Sequence, residues 1–260
     1  MEIFKILPRT NCRDCRVATC FAFAAAVFKG DKRLGDCLHI DKNALETLSV
    51  GNSDSRTLER EEIQLVKQLR KKVCEIDLAA SAERLGASFS DERLTVKCLG
   101  KDFHIDSRAN VTSEVHVHGW VTVPLLNYVI SCAGKEVTGN WVTMRELKDG
   151  ATWAGLFGQR CEKPLKQVAD NYTDLFEHMI QIFNAKRAPN AFDSDVAVIL
   201  HPLPRIPMLI CYWKPDDDMD SSLNVFFDDT AEENLGTDSL YRIATGMVMM
   251  FEKIALTHGK

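Results

Sequence analysis

Residues 11–20 read NCRDCRVATC and, together with Cys37, they decide the fold at the start of this 260-residue chain. Two, four and sixteen residues separate the successive cysteines, which are Cys12, Cys15, Cys20 and Cys37. Thiolate donors favour zinc or an iron–sulfur cluster. Zinc sites made of four cysteines usually come as two short pairs, whereas here one loop supplies three ligands and the fourth arrives later. The asymmetry therefore favours a 4Fe-4S cluster held by these four cysteines, with zinc as the alternative.

The residues that follow the ligand loop predict a helix that begins at the third cysteine. Apolar residues recur at helical spacing behind it, at Phe23, Ala24 and Val27. A cluster bound there would lie near the helix N-terminus, where free amides and the positive end of the helix dipole stabilise negative charge. Arg13 and Arg16 would add to that effect, and burial would oppose it because a low dielectric disfavours the more negative reduced state.

The segment from Pro8 to Cys37 resembles the small 4Fe-4S module of the corrinoid iron–sulfur protein large subunit and of some electron-transfer subunits of ferredoxin oxidoreductases. The shared features are the Pro-x-Thr-Asn-Cys lead, the spacing of the three-cysteine loop, the Thr-Cys-x-x-Phe-Ala helix start, Gly30 and Cys37. Arg13 and Arg16 depart from the family, which commonly has glycine at these positions. In the relatives the cluster serves low-potential electron transfer, and in one branch it reactivates a corrinoid by reduction. The resemblance implies a redox partner protein, with a corrinoid protein as a candidate.

The composition describes a globular chain with enough apolar residues for a sizeable core. It is 45% hydrophobic and carries a net charge of −5, so no basic face and no nucleic-acid partner are predicted. The first eight residues are too short and too polar for a signal peptide, and no apolar run is long enough to span a bilayer. We therefore expect a cytoplasmic protein with no membrane partner. In a reducing compartment its nine cysteines are ligands or buried thiols, which suits anaerobic metabolism.

The predicted fold class is α+β, with a small helical iron–sulfur module at residues 1–50 and a mixed α+β domain at residues 51–260. The polar stretch Gly51 to Ser55 is the candidate boundary. Periodicity predicts helices over Thr57–Lys72, Ile76–Leu85, Pro164–Phe183 and Leu240–Leu256. Strands are predicted over Leu94–Leu99, Phe103–Ile105, Trp141–Met144, Val196–Leu200, Met208–Trp213 and Val225–Phe227. The apolar run Val121–Ile130 fits either a strand or a buried helix.

The larger part, from about Val121 to Phe251, resembles an uncharacterised domain that is often attached to this cluster module. The motifs that carry the resemblance are Gly139-Asn140-Trp141-Val142, Leu203-Pro204-Arg205-Ile206-Pro207, Trp213 and Phe226-Phe227-Asp228. It implies a shared fold and no established activity. Turn chemistry and core packing explain the same residues without any function.

Other clusters of polar residues have plain explanations. His116 and His118 would share one face of a strand, but no third metal ligand is evident, and a solvated strand face is favoured. Asp216, Asp218 and Asp220 alternate as in a calcium loop, yet Ser221 replaces the required glycine, so a charged turn is favoured. The remaining single cysteines are interpreted as buried thiols. The aromatic residues Tyr128, Trp141, Trp153, Trp213 and Phe226 could line a cofactor pocket or simply pack.

These patterns predict an electron-transfer or redox-accessory protein with one 4Fe-4S cluster. The alternatives are a cluster-dependent enzyme whose C-terminal domain binds a substrate or tetrapyrrole, and a binding module whose cluster is only structural. No nucleotide-binding glycine loop and no nucleophile with an evident base is present in the sequence. Whether the chain is an enzyme is left open.

Overall fold

The computed structural model describes residues 4, 7–28, 32, 36–40, 60–172, 174–216 and 219–258. The chain divides into two compact units, residues 1–64 and 65–260. The candidate boundary Gly51–Ser55 and the helix-closing Gly30 lie outside the described residues. The division at residue 51 therefore stays a prediction.

The N-terminal unit contains helix α1, Cys20–Phe28, as the sequence predicted. Thr19 precedes the helix, and its Oγ1 accepts a hydrogen bond from the Ala22 amide at 3.0 Å, which satisfies one of the free donors of the first turn. A small cluster of buried side chains surrounds the helix start and consists, among the described residues, of Leu7, Cys20, Phe23, Ala24, Cys37 and Ile40. Two ligand candidates are thus part of the apolar core of this unit.

The helical elements after residue 59 are α2, residues 60–73; α3, Leu78–Ser81; α4, Gly119–Ser131; α5, Gly150–Phe157; α6, Lys163–Asn171; α7, Leu175–Phe183; α8, Ala231–Leu235; and α9, Thr237–His258. A π-helix, Gly158–Glu162, joins α5 to α6. The apolar run at 121–130 is helical, and the single helix expected over Pro164–Phe183 is two helices with a break at Tyr172. The helix expected to reach Leu85 ends at Ser81.

In the described residues the strands form two antiparallel sheets. The first has the order β1-β2-β3-β4 and contains Ser88–Ser90, Arg93–Cys98, Lys101–Ile105 and Val111–Ser113. The second has the order β5-β9-β8-β7-β6. Its strands are β5, Trp141–Thr143; β6, Lys186–Arg187; β7, Val196–Leu203; β8, Ile206–Trp213; and β9, Ser222–Asp228. Helices and antiparallel sheets together confirm the α+β class.

Strand β8 lies at the centre of the second sheet and separates its two faces. Met208, Ile210 and Tyr212 join the main hydrophobic core, whereas Leu209 and Cys211 join a smaller apolar cluster. This alternation follows from the two-residue period of a strand. The sheet is therefore apolar on both faces, with helices packed on the face that belongs to the main core.

Helices α4 and α9 approach closely because one residue of α9 lacks a side chain. A Cβ placed on Gly246 would lie 2.5 Å from the ring of Trp120. The Trp120 side chain therefore occupies the space that any other residue at position 246 would need. Alanine at this position would force the two helices apart.

Candidate metal centre

The cysteine loop is held against the start of α1 by two polar side chains. The Oδ1 of Asn11 accepts a hydrogen bond from the Cys20 amide at 2.8 Å, and Thr19 binds the Ala22 amide as described above. Asn11 is nine residues before its partner and immediately precedes Cys12, so its contact folds the loop back on the helix. The loop is thereby set beside a helix N-terminus, as the sequence predicted.

The four cysteines differ in exposure. Cys20 and Cys37 are buried, with 7% and 6% of their surface accessible. Cys15 is partly buried and packs against the same apolar cluster. Cys12 is exposed and lies outside that cluster. Three of the four predicted ligands therefore contact one common core, and the fourth faces solvent.

Cys12 has two other potential metal ligands beside it. The Cys12 sulfur, a carboxylate oxygen of Asp14 and a ring nitrogen of His39 all lie within 4.8 Å of one another. The Nε2 of His39 is 2.5 Å from Oδ2 of Asp14. Hydrogen bonds from His39 and then from Cys12 hold the pKa of the Asp14 carboxyl below its ordinary value. Over the described ranges, this is the only group of three or more such donors that comes so close together.

The four thiols fit an iron–sulfur cluster. No three of their sulfurs lie within 4.8 Å of one another. The ligands of a 4Fe-4S cluster bind four different irons and stand further apart. The donor set, its position at a helix N-terminus and the burial of two sulfurs all fit a cluster of this kind.

Arg13 and Arg16 have the backbone conformation that glycine adopts most readily. Their φ angles are +67° and +59°, and the Arg16 amide donates to the Arg13 carbonyl at 2.8 Å to close a tight turn. A left-handed conformation costs an ordinary L-residue about 1–2 kcal/mol. Glycine would adopt these angles without that cost, so this chain forms the turn with strained backbone at Arg13 and Arg16.

Asp14 and His39 are the residues of this centre that the sequence analysis missed. Asp14 lies between the first two cysteines and His39 follows Cys37 by two residues. Their closeness in sequence to the cysteines could have suggested a role as metal ligands. Only the folded chain shows that these two residues, 25 positions apart, are in contact.

The motifs of the larger domain form hydrogen-bonded anchors inside the second unit. Asp228 at the end of β9 is fully buried and accepts hydrogen bonds from the amides of Thr138, Gly139 and Thr230. Burial would raise the pKa of Asp228, but the hydrogen bonds from Thr230 and from these amides keep it below its ordinary value. The carboxylate thus joins the Gly139-Asn140 turn to the sheet.

Arg205 forms hydrogen bonds that hold the turn between β7 and β8 in place. Its guanidinium donates to the carbonyls of Arg84 and Glu83 at 2.7 and 3.1 Å and forms an ion pair with Glu136 at 2.7 Å. The hydroxyl of Tyr128 donates to the Leu85 carbonyl at 2.8 Å, and burial raises the pKa of that tyrosine. These contacts hold the turn against residues 83–85.

Two further sequence patterns have no ligand-binding geometry in the described residues. His116 and His118 lie between β4 and α4 and not on a strand, with ring centroids 4.2 Å apart. Asp218 lies outside the described residues, and the Oδ1 of Asp216 accepts from the Met219 amide at 2.9 Å, as in a turn. Neither pattern gathers a third metal ligand among the residues that the structure describes.

The five remaining cysteines are separate from the centre. Cys98, Cys132, Cys161 and Cys211 are buried, whereas Cys74 is exposed. Burial raises the pKa of Cys98 to about 12, so its thiol stays protonated at neutral pH. Among the described residues, none of these five cysteines belongs to a group of three or more potential metal ligands within 4.8 Å of one another.

The candidate aromatic pocket is not assembled. Tyr128 and Trp153 pack in the main core, while Trp141, Trp213 and Phe226 belong to the small cluster on the other face of the second sheet. The aromatic residues are therefore packing elements in two separate places.

The structure has a cysteine-rich N-terminal unit followed by an α+β domain, and two family matches follow the same order. Residues 7–39 match the family described as "Putative Fe-S cluster". Residues 77–250 match the family described as "Domain of unknown function (DUF3786)". The second match covers more than half of the chain, which therefore belongs to the DUF3786 family. The prediction of an iron–sulfur module followed by an uncharacterised domain is confirmed at this level.

A curated relative matches a short part of the chain. The gamma subunit of the acetyl-CoA decarbonylase/synthase complex of Methanothermobacter thermautotrophicus is 33% identical over 69 residues. The match covers 25% of this chain and only 15% of the relative. No solved structure matches the chain.

No helix in the described part of the chain is both long enough and apolar enough to span a membrane.

Proposed function

We propose that this chain is an electron-transfer or redox-accessory protein with one 4Fe-4S cluster bound by Cys12, Cys15, Cys20 and Cys37. The observation that carries the proposal is the placement of three of these cysteines against one apolar cluster at the start of α1. The match to an iron–sulfur family supports the same metal chemistry. When bound, the cluster supplies one-electron transfer, and the chain sets its potential through hydrogen bonds, charge and burial.

The exposed side chains of the cysteine module support electron transfer to a partner protein. Cys12 faces solvent, so one side of the cluster would lie near the surface, where a partner can approach closely. Two large apolar side chains directly follow buried ligands and are themselves exposed, Phe21 at 55% and Leu38 at 77%. Exposed apolar side chains beside a redox centre provide contact area for a partner.

The identity of the partner rests on similarity. The relative's name describes a subunit of a multi-subunit complex, and the module resembles that of the corrinoid iron–sulfur protein. We therefore favour a protein partner within anaerobic metabolism, with a corrinoid protein as the first candidate, in the cytoplasm. That compartment keeps thiols reduced and available to iron.

Anaerobic purification followed by visible and EPR spectroscopy tests the proposal. The purified chain should contain iron and acid-labile sulfide in equal amounts and show an EPR signal after dithionite that disappears on reoxidation. A chain that binds zinc instead would contradict the cluster. A cluster that never reduces would contradict electron transfer and favour the structural alternative, whereas an additional chromophore would favour the cluster-dependent enzyme.

A further inference from the structure

Cys12 differs from the other ligand candidates in its neighbours. Its sulfur lies within 4.8 Å of the Asp14 carboxylate and of the His39 imidazole, and all three residues are exposed. Cys20, by contrast, is buried in the apolar cluster. Among the described residues, no comparably close set of three donors includes Cys20. The four sites of the cluster are therefore unequal before any iron binds.

Asp14 is the central member of the exposed set. Its Oδ2 lies 2.5 Å from Nε2 of His39, and its carboxylate is also within reach of the Cys12 sulfur. An ionised carboxylate has two oxygens and about four lone-pair sites, so it can keep the contact with His39 and still bind a metal ion. Carboxylate and imidazole together are common ligands of iron in proteins.

We propose that Asp14 is a reserve ligand for the iron held by Cys12, with His39 as the residue that positions the carboxylate. This inference rests on the proposed four-cysteine cluster. When the Cys12 sulfur–iron bond is absent, a bond from an Asp14 oxygen to the same iron replaces it. Thiolate and carboxylate each carry one negative charge, so the exchange needs no electron and leaves the net charge of the site unchanged.

The consequence is an order of importance among the cysteines. Cys20 belongs to the apolar cluster, and no set of three close donors in the described residues includes it. We therefore expect no comparable substitute for its thiolate. Loss of Cys12 leaves Asp14 in place. The cluster should therefore survive replacement of Cys12 and not replacement of Cys20.

The test compares full-length variants after anaerobic reconstitution with iron and sulfide. Cys12→Ala should keep most of the wild-type iron and sulfide, with EPR g values shifted by the oxygen ligand. Cys20→Ala should lose most of its iron or convert to a three-iron form. The double variant Cys12→Ala with Asp14→Asn should lose the cluster, whereas Cys12→Ala with Asp14→Glu should keep it.

Two further variants separate ligation from positioning and from general charge. His39→Gln in the Cys12→Ala background should keep the iron but shift the EPR g values, because the carboxylate is no longer oriented. Asp14→Asn with Cys12 intact is the matched control, because the Cys12 thiolate is still present to hold the iron. It should keep the wild-type iron content.

The inference is overturned if Cys12→Ala loses its iron as completely as Cys20→Ala, or if the Asp14→Asn double variant retains the cluster. Both outcomes leave the proposed function intact, provided that the wild-type chain binds a reducible cluster. A wild-type chain without a cluster overturns both. Asn is nearly isosteric with Asp. A difference in iron content between Cys12→Ala alone and Cys12→Ala with Asp14→Asn is therefore not explained by a failure to fold.

Discussion

The two units of this chain are stabilised in different ways. In the described part of the N-terminal unit the buried apolar cluster has six members, and two of them are candidate metal ligands. The C-terminal unit has one extensive core formed by both sheets and most of its helices. A small unit with a limited core usually depends on a metal or a disulfide, whereas a larger one does not. From this comparison we expect folding to depend on metal binding in the first unit and not in the second.

Deletion of the module is the most drastic test of this contrast. The fragment of residues 54–260 should be soluble and unfold in one cooperative transition, because the large core lies within it. Circular dichroism during urea unfolding measures this. An insoluble or non-cooperative fragment, beside a well-folded full chain, would show that the two parts share one core.

Loss of one buried ligand should affect only the first unit. Cys20→Ala should abolish binding of the 4Fe-4S cluster and make the N-terminal region sensitive to protease, since metal binding supplies part of its folding free energy. The urea midpoint of the C-terminal unit should not change. Cys98→Ala, at a buried cysteine of the second unit, is the matched control and should leave the iron content at the wild-type value.

Loss of a buried anchor should affect only the second unit. Asp228→Ala leaves the amides of Thr138, Gly139 and Thr230 without their acceptor, and should lower the free energy of unfolding by about 3 kcal/mol. Asp229→Ala, at the exposed neighbour, should cost much less because water replaces its contacts. Equal losses in the two variants would contradict an anchoring role for Asp228.

The same carboxylate gives a pH dependence with a defined sign. The pKa of Asp228 is lower in the folded protein than its ordinary value of about 4. The ionised carboxylate therefore stabilises the folded state fully at pH values above about 4. Stability from Asp228 should decline as the pH falls from about 4 through the lowered pKa. Urea unfolding of the wild type and of Asp228→Asn between about pH 2 and 6 measures this decline. The difference in free energy of unfolding between the two proteins should become smaller as the pH approaches about 2.

Replacement of the two strained arginines is the subtlest test. Arg13→Gly with Arg16→Gly should relieve two left-handed positions, but the added freedom of glycine in the unfolded chain limits the net gain to about 1 kcal/mol or less. The midpoint potential of the cluster should become lower, because positive charge favours the more negative reduced state. Arg13→Lys with Arg16→Lys keeps both charges on the same left-handed backbone (φ +67° and +59°). It is the control and should leave the potential at the wild-type value. An unchanged or higher potential in the glycine double variant would contradict a charge effect.

The sequence predicted the local features of the fold well and the long-range ones poorly. The start of α1 follows from a capping threonine and apolar residues at helical spacing, and the cores of β7, β8 and β9 follow from short apolar runs. The Val121–Ile130 run was ambiguous because a fully buried helix and a fully buried strand are both apolar throughout. The break at Tyr172 was missed because the apolar periodicity continues on both sides of it.

The candidate site shows the same limit. Its cysteines can be recognised in the sequence because few roles other than metal binding explain cysteines at this spacing. The contact between Asp14 and His39 depends on how the segment that carries Cys37 folds back against the first loop. The periodicity of the sequence does not predict this long-range contact. The strain at Arg13 and Arg16 could be expected from the glycines of the relatives, and the structure confirms the left-handed backbone.

The edges of the five-stranded sheet have a consequence for the behaviour of concentrated solutions. In the described residues the outermost strands are β5, with three residues, and β6, with two. β6 consists of Lys186 and Arg187, both exposed and both cationic. A short, charged edge offers few free backbone groups and repels a like copy, which opposes the strand addition that begins amyloid growth. Strand addition at the β6 edge is therefore opposed as long as the sheet stays folded.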